Sequence, residues 1–202
     1  MSIDSATQNW STAERKIMEA TYRAMLEYGY SGLSISRIAD QFDKSKASIY
    51  YHYDSKDDLL LAFLDFVVDR FKTDFAEGVD EDPNSALTTV IEKLVPLRMN
   101  DEEFQGQRVL IELRSQATRN DAFREKFTEI NELLVRTICE IIERGIENGT
   151  FRDVEAARVA EHIVATVNGS TIDRVTTDRE TAPAAVRISL VSYIDSELRS
   201  HR

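Results

Sequence analysis

Apolar positions recur three and four residues apart along almost the whole chain, and no stretch alternates with the two-residue period of a strand. Ile17, Ala20, Thr21, Ala24 and Tyr28 share one side of a first helix over roughly 12–28, which Gly29 stops. Ser34 is placed to cap a second helix over 35–42, whose apolar face is Ile38, Ala39 and Phe42. Asp43, Lys44 and Ser45 are too few for a loop and fit a tight turn between helices. Ser45 then caps a third helix over 46–52, on which Ile49 and Tyr53, four apart, point inward together. "SKDD" from Ser55 is a capping-box pattern with Asp58 in place of the usual Glu, and it opens a long fourth helix over 56–77.

The segment 78–84, "GVDEDPN", is the clearest boundary in the chain. Beyond it the same period predicts helices over 84–98, 101–117, 121–148, 154–176 and 182–199. Asn120 and Asp153 are the expected caps and Gly149 the expected stop. Pro96 should kink or end the fifth helix, whereas Pro183 falls in the first turn of the last one, where a missing N–H is harmless. The fold class expected is all-α with about nine helices. Three of them form an N-terminal helix-turn-helix domain over 12–55, with its motif over 34–53, behind an arm over 1–11. A connecting helix over 56–78 leads to a C-terminal helical domain over 79–202.

On the third helix the periodicity raises a chemical question. Tyr50, Tyr51 and His52 are consecutive, so they cannot share one face, and Ile49 and Tyr53 already define the inward side. Two aromatics and a histidine are thus left on the outside, beside Lys46, Ala47 and Ser48. In a helix-turn-helix the recognition helix lies in the major groove and the preceding helix crosses the backbone. Tyrosine hydroxyls suit phosphate oxygens and the rings suit a thymine methyl. Lys46 and Ser48 are near the helix start, in reach of base edges, and Ala47 permits close approach. His52 and Lys56 are placed for phosphates, Lys56 at a helix N-terminus that itself favours an anion. The candidate DNA contacts are Ser34 and Arg37 on the second helix, Lys44 and Ser45 in the turn, and Lys46, Ala47, Ser48, Tyr50, Tyr51, His52 and Lys56 beyond it.

Charge complicates this assignment. The 202 residues carry a formal net charge of −11, where a nucleic-acid binder usually shows a basic footprint. The first 60 residues hold seven Lys or Arg against nine Asp or Glu, so most of the acidity falls on the C-terminal part. Eighteen Arg against seven Lys, together with the acidity, is consistent with a halophilic source. High salt would suppress counterion release and leave more of the affinity to base and shape readout. Charged residues make up 30% and apolar ones 42%, a soluble globular composition. No run of 18 apolar residues predicts a membrane span, and no apolar stretch follows "MSIDSATQNW", so the expected location is the cytoplasm. One cysteine and three scattered histidines give no metal-ligand spacing, and neither a phosphate loop nor a paired nucleophile is present. Neither an enzyme nor a cofactor or metal protein is expected.

"EYGYSGLSISRIAD" followed by "SKASIYYHYDSKDDLL" resembles the DNA-binding domain of the TetR (tetracycline-repressor) family of transcriptional regulators. Gly29–Tyr30, Ile38–Ala39, Tyr50, Tyr53 and Ser55–Lys56 through Leu59 fill the places of the family's pattern, and "YYHY" is similar to its multidrug-responsive repressors. Two departures stand out: Asp43–Lys44 where the family's turn carries Gly then Val, and Ala47 where it carries Gly. Asp tolerates a left-handed conformation better than most residues, and Lys44 has a stem long enough to snorkel.

The resemblance implies a ligand-responsive repressor that binds a palindromic operator as a homodimer and is released by a small lipophilic effector. It also implies that the last two long helices pair with their copies, with Val159, Ile163, Val167, Val186, Leu190 and Tyr193 as the candidate surface. The same stripes would serve equally as intrachain core. The ligand cavity it implies has Met99, Phe104, Cys139 and Asn168 as candidates, although ordinary packing accounts for each. Gln105, Arg108, Glu112, Ser115 and Arg119 form a polar stripe expected to face water. The competing function is an all-helical interaction or small-molecule-binding protein without DNA binding, favoured by the acidity and by the Asp43–Lys44 turn.

Overall fold

The structure, a computed structural model, describes residues 10–42, 46–76, 82–179 and 181–199, with the side chains of 74–76 excepted. The described residues form nine helices and no strand: α1 (Thr12–Gly32), α2 (Ile35–Asp40), α3 (Lys46–Tyr50), α4 (Lys56–Ala76), α5 (Pro83–Leu94), α6 (Asp101–Gln116), α7 (Asp121–Glu147), α8 (Ala156–Thr176) and α9 (Ala182–Leu198). The all-α expectation holds. The chain packs as two compact units that do not follow chain order, Met1–Ala76 with Gln105–Phe127 and Glu77–Phe104 with Thr128–Arg202. Hence α6 and α7 each contribute residues to both.

In the first unit Ile17, Met18 and Met25 of α1, Ile38 of α2 and Ile49 of α3 are buried together with Leu59, Leu60 and Leu64 of α4. Val109 and Leu113 of α6 and Phe123 of α7 complete this core. Ser11 caps α1 with a full capping box: its hydroxyl accepts from the Glu14 N–H, and Glu14 accepts the Ser11 N–H at 2.8 Å. Asn100 and Glu103 repeat that reciprocal pair at the start of α6. At Ser55 the box is incomplete. The hydroxyl accepts from the Asp58 N–H and donates to the Asp58 carboxylate at 2.7 Å, a carboxylate one carbon shorter than the usual Glu. Gly29 does not stop α1 outright. It takes φ 61° and ψ 174°, a left-handed break open to glycine, and the helix resumes for one turn.

In the second unit α5 begins with Asp82 accepting from the Ser85 N–H and Pro83 in the first turn, and it ends at Leu94, ahead of Pro96, earlier than the 84–98 expected. Pro96 has no N–H to extend the helix, and its carbonyl instead accepts from Arg174 Nη2 at 2.6 Å. Asp153 is not the cap of α8; that position falls to Glu155, whose side chain makes no capping bond. Asn120 does act as expected, its side chain accepting from the Ala122 N–H. Gly149 follows α7 at φ +78°. Phe151 then folds back so closely that a Cβ on Gly145 would lie 2.0 Å from its ring. The Phe151 N–H donates to the Gly145 carbonyl at 2.8 Å. Next to it, the Arg152 guanidinium donates to the Ser196 and Glu197 carbonyls at the end of α9, satisfying acceptors that the helix leaves open. Arg187 pairs with Glu92, and Arg199 donates to Asn84 at 2.6 Å, so α9 is tied to both ends of α5.

Candidate nucleic-acid interface

Four contacts fix α2 against α1. Arg23 donates to the Gln41 carbonyl at 3.0 Å, and the Gln41 amide donates to Glu27 at 2.6 Å. The Arg37 guanidinium donates to the Gly32 carbonyl and lies 4.4 Å from the centroid of the Tyr28 ring. Arg37, expected at DNA, is thus engaged with its own domain, with an exposed side chain. Ser34 is the cap of α2, its hydroxyl accepting from the Arg37 N–H.

α3 is anchored by one residue. Ile49 is fully buried, and Tyr53 packs behind it with its hydroxyl enclosed and unpartnered. That burial, with the nearby Glu14 carboxylate, pushes the Tyr53 phenol up to about 12, so it stays neutral and structural. The opposite side is open. Tyr50 is 53% and Tyr51 85% exposed, and Lys46, Ala47 and His52 are exposed with them. Ser48 is half-buried. Tyr51 and His52 meet edge to face at 5.2 Å, which holds the two rings as a single projection. The helix proper is shorter than expected, ending at Tyr50, with Tyr51 and His52 in the following turn, where their N–H groups bond to the Ala47 and Ile49 carbonyls. Lys44 and Ser45, with Asp43 of the turn, lie outside the described residues.

Beside this surface, Lys56 opens α4 with its ammonium 4.2 Å from the centroid of the Tyr30 ring. Asp57 and Asp58 follow in the same first turn, where they complement the helix dipole and lower the local positive potential. The structure therefore leaves Lys46, Ala47, Tyr50, Tyr51 and His52 exposed around the helix and its following turn. It gives Ser34 and Arg37 internal partners.

The polar stripe on α6 departs from expectation at Glu112. Arg108, Ser115 and Arg119 are exposed, but Glu112 is only partly so, and its Oε2 accepts the Tyr30 N–H at 2.7 Å. The stripe itself carries no sign of this bond, because the partner is a backbone group 82 residues away.

In the second unit each candidate ligand residue has its own surroundings. Met99 and Phe104 are half-buried. The Cys139 thiol lies 3.5 Å from Glu143 on its own helix; burial, then Glu143, pushes the thiol up, away from a reactive thiolate. The Asn168 amide donates to Asn131 at 3.3 Å. The candidate dimer stripe divides in two. Val159, Ile163, Val167 and Leu190 are buried within the chain, where α8 and α9 pack on each other, as the intrachain-core alternative expects. Ile188, Val191 and Ile172 are the exposed large apolar residues on these helices. Val186 and Tyr193 instead line a groove of about 400 Å³ between α8 and α9, with His162 and Thr166 on the facing helix. Tyr193 packs against the His162 ring at 4.4 Å between centroids. Among the described residues, no cluster of His, Cys, Asp or Glu would hold a metal, and no helix is long and apolar enough to cross a membrane.

Comparison with known proteins gives this geometry its context. Residues 83–199, more than half the chain, match the family model described as BetI-type transcriptional repressor, C-terminal. Residues 17–63, containing α2 and α3, match the model for bacterial regulatory proteins of the tetR family. The chain belongs to the TetR family. A TetR transcription regulator from Haloarcula marismortui is 34% identical, superimposes with a TM-score of 0.87, and is matched over 94% of this chain and 100% of that one. A transcriptional regulator from Saccharomonospora viridis solved in complex with choline is 27% identical, with a TM-score of 0.78 over 95% and 100% of the two chains. The HTH-type transcriptional repressor AcnR of Corynebacterium glutamicum is 22% identical over 90% of this chain and 91% of its own. The TetR-family assignment makes this chain a ligand-responsive DNA-binding transcriptional regulator of the repressor type.

Proposed function

We propose that this TetR-family regulator binds a palindromic operator as a homodimer, presenting Tyr50, Tyr51 and His52 with Lys46, Ala47 and Ser48 to the major groove. The single observation that carries this assignment is the division of α3 and its turn: Ile49 and Tyr53 face the core while Tyr50, Tyr51 and His52 stand outside it. Tyr50, the last residue of this five-residue helix, and Tyr51 in the turn after it are both exposed, so their use lies outside the chain. Lys44, Ser45 and Lys56 serve the phosphates on either side. Arg37 and Ser34 act by holding α2 in place, with the Arg37 guanidinium close enough to the surface to meet a phosphate as well.

A single recognition helix reads only a few base pairs, so a two-fold dimer with half-site centres roughly 34–36 Å apart, or a multiple, supplies the specificity. The exposed sides of α8 and α9, including Ile172, Ile188, Val191 and the groove at Tyr193, are the surface for that pairing. The effector is a small organic molecule held by the C-terminal region. The choline bound in the Saccharomonospora viridis regulator makes choline the first compound to try. It would act by preferring a dimer state whose recognition helices no longer fit the operator spacing.

The test is a gel-shift titration on the DNA flanking the protein's own gene, with Tyr51→Ala and Lys46→Ala beside the wild type. The expected result is at least about tenfold weaker binding for each variant, equivalent to ~1.4 kcal/mol, with an unchanged thermal midpoint. Wild-type affinity in both variants would reject these contacts. No shift for the wild-type protein at any salt would favour a helical interaction protein that has lost its operator.

A further inference from the structure

We infer that Glu112 is a positioning residue for DNA binding: through the Tyr30 N–H it latches the end of α1 to α6 and so sets the attitude of the helix-turn-helix. The inference rests on the function proposed above and names the contact that regulates it.

The latch begins with the break at Gly29. Its ψ of 174° turns the following N–H out of the α1 ladder, and at φ 61° no other residue type adopts that geometry without strain. The Tyr30 N–H then needs an acceptor from elsewhere. Glu112 Oε2 supplies it at 2.7 Å, a charge-assisted bond of the stronger kind. The carboxylate comes so near that a Cβ on Gly29 would lie 3.1 Å from the same oxygen. The other carboxylate oxygen is held too, since Arg108 Nε lies 3.4 Å from Glu112 Oε1 one turn back on α6. Both oxygens of Glu112 are thereby assigned, one to its own helix and one to the end of α1.

Tyr30 carries the contact onward. Its ring receives the Lys56 ammonium, and burial, followed by the Asp57 carboxylate beside its hydroxyl, raises the phenol above its usual value. Asp57 accepts in turn from the Asn120 amide at 3.1 Å. One residue at the end of α1 is therefore gripped by α6 through its backbone and touches the N-terminus of α4 through its ring, while the α6–α7 turn holds that same N-terminus. The α1–α2 corner and the start of α4 flank the recognition helix in sequence. A shift of α6 cannot leave their positions unchanged without breaking the 2.7 Å bond. The first four residues of α6 belong to the second compact unit, so the latch sits on a helix that the regulatory region shares.

Three variants test it in the full-length protein: Glu112→Ala removes the acceptor, Glu112→Gln keeps an oxygen in place, and Arg108→Ala only loosens the carboxylate. Amide hydrogen exchange is read at Tyr30 and along 34–42, and affinity for the flanking DNA is read in parallel. In Glu112→Ala the Tyr30 amide should exchange at least tenfold faster and DNA binding should weaken about tenfold, with the thermal midpoint little changed. Glu112→Gln should recover most of both, and Arg108→Ala should shift both in the same direction by less. Unchanged Tyr30 exchange in Glu112→Ala overturns the latch. So does wild-type DNA affinity in a variant whose Tyr30 amide has opened. Should the wild-type protein bind no DNA, the proposed function fails, and exchange along 34–42 still decides the latch: unchanged protection there in Glu112→Ala rejects it.

Discussion

The outer surface of α3 and the outer surface of α8 and α9 pose the same problem in two forms. Each belongs to a helix that buries one side in its own unit and leaves another side open. On α3 the open side is chemically unlike the buried one: Tyr50, Tyr51 and His52 stand out against Ile49. On α8 and α9 aliphatic residues lie on both sides, Ile163 and Leu190 buried, Ile172, Ile188 and Val191 exposed among polar neighbours such as Arg158, Glu161, Ser189 and Ser192. The surface proposed for DNA thus differs in composition from the core beneath it, and the surface proposed for a second copy carries core-like residues among polar ones.

The sharpest way to break this comparison is to place the same charge on each side of the paired helices. Ile163→Asp buries an unpaired carboxylate in a fully enclosed site and should lower stability by about 3–5 kcal/mol or prevent folding, measured by urea denaturation. Ile188→Asp, at a position 66% exposed, should leave the fold intact and raise the dimer dissociation constant at least tenfold in sedimentation equilibrium. An unaltered dimer would move the interface away from α9. On α3 the corresponding pair is Ile49→Ala and Tyr51→Ala. The first empties a closed site and should destabilise by about 2–5 kcal/mol. The second should keep stability within about 0.5 kcal/mol while DNA binding falls, a separation visible by setting thermal melts beside gel shifts.

The smallest effect concerns salt. Asp57 and Asp58 follow Lys56 directly, and Arg37 is partly committed to Gly32 and Tyr28. The proposed phosphate contacts give each protomer two cations, Lys44 and Lys56, so a dimer neutralises about four phosphates and the slope of log affinity against log salt should be about −4. A slope near −8 would mean that the DNA contacts extend well beyond α3 and the start of α4.

Most helix positions were legible because periodicity, caps and the few Gly and Pro residues agree. Asn120, Gly149 and Pro183 sit where their chemistry places them. Asp153 misled because a capping residue two positions early is as good locally as one in register. Pro96 ended α5 sooner than the apolar pattern alone would suggest, since the chain turns before the proline and not at it. The α3 side chains were legible for the reason just given. The contact between Glu112 and Tyr30 was not: no side-chain pattern encodes a bond to a backbone N–H, and only the left-handed Gly29 hints that a donor has been set loose there. Arg37 illustrates the converse. Its type and place suited a phosphate, while its carbonyl and aromatic partners come from the preceding helix, which sequence spacing does not bring near.

The lysine resting on the Tyr30 ring has a thermodynamic consequence. A surface lysine ordinarily samples many rotamers, and fastening its head to a phosphate forfeits up to about 2 kcal/mol of that freedom. Here the ammonium already rests on the Tyr30 ring when the chain folds, so in the proposed phosphate contact part of the ordering penalty falls on folding and not on operator capture. Tyr30→Leu would return the disorder to Lys56, and the loss should appear in calorimetry as a less favourable binding entropy with the charge itself untouched.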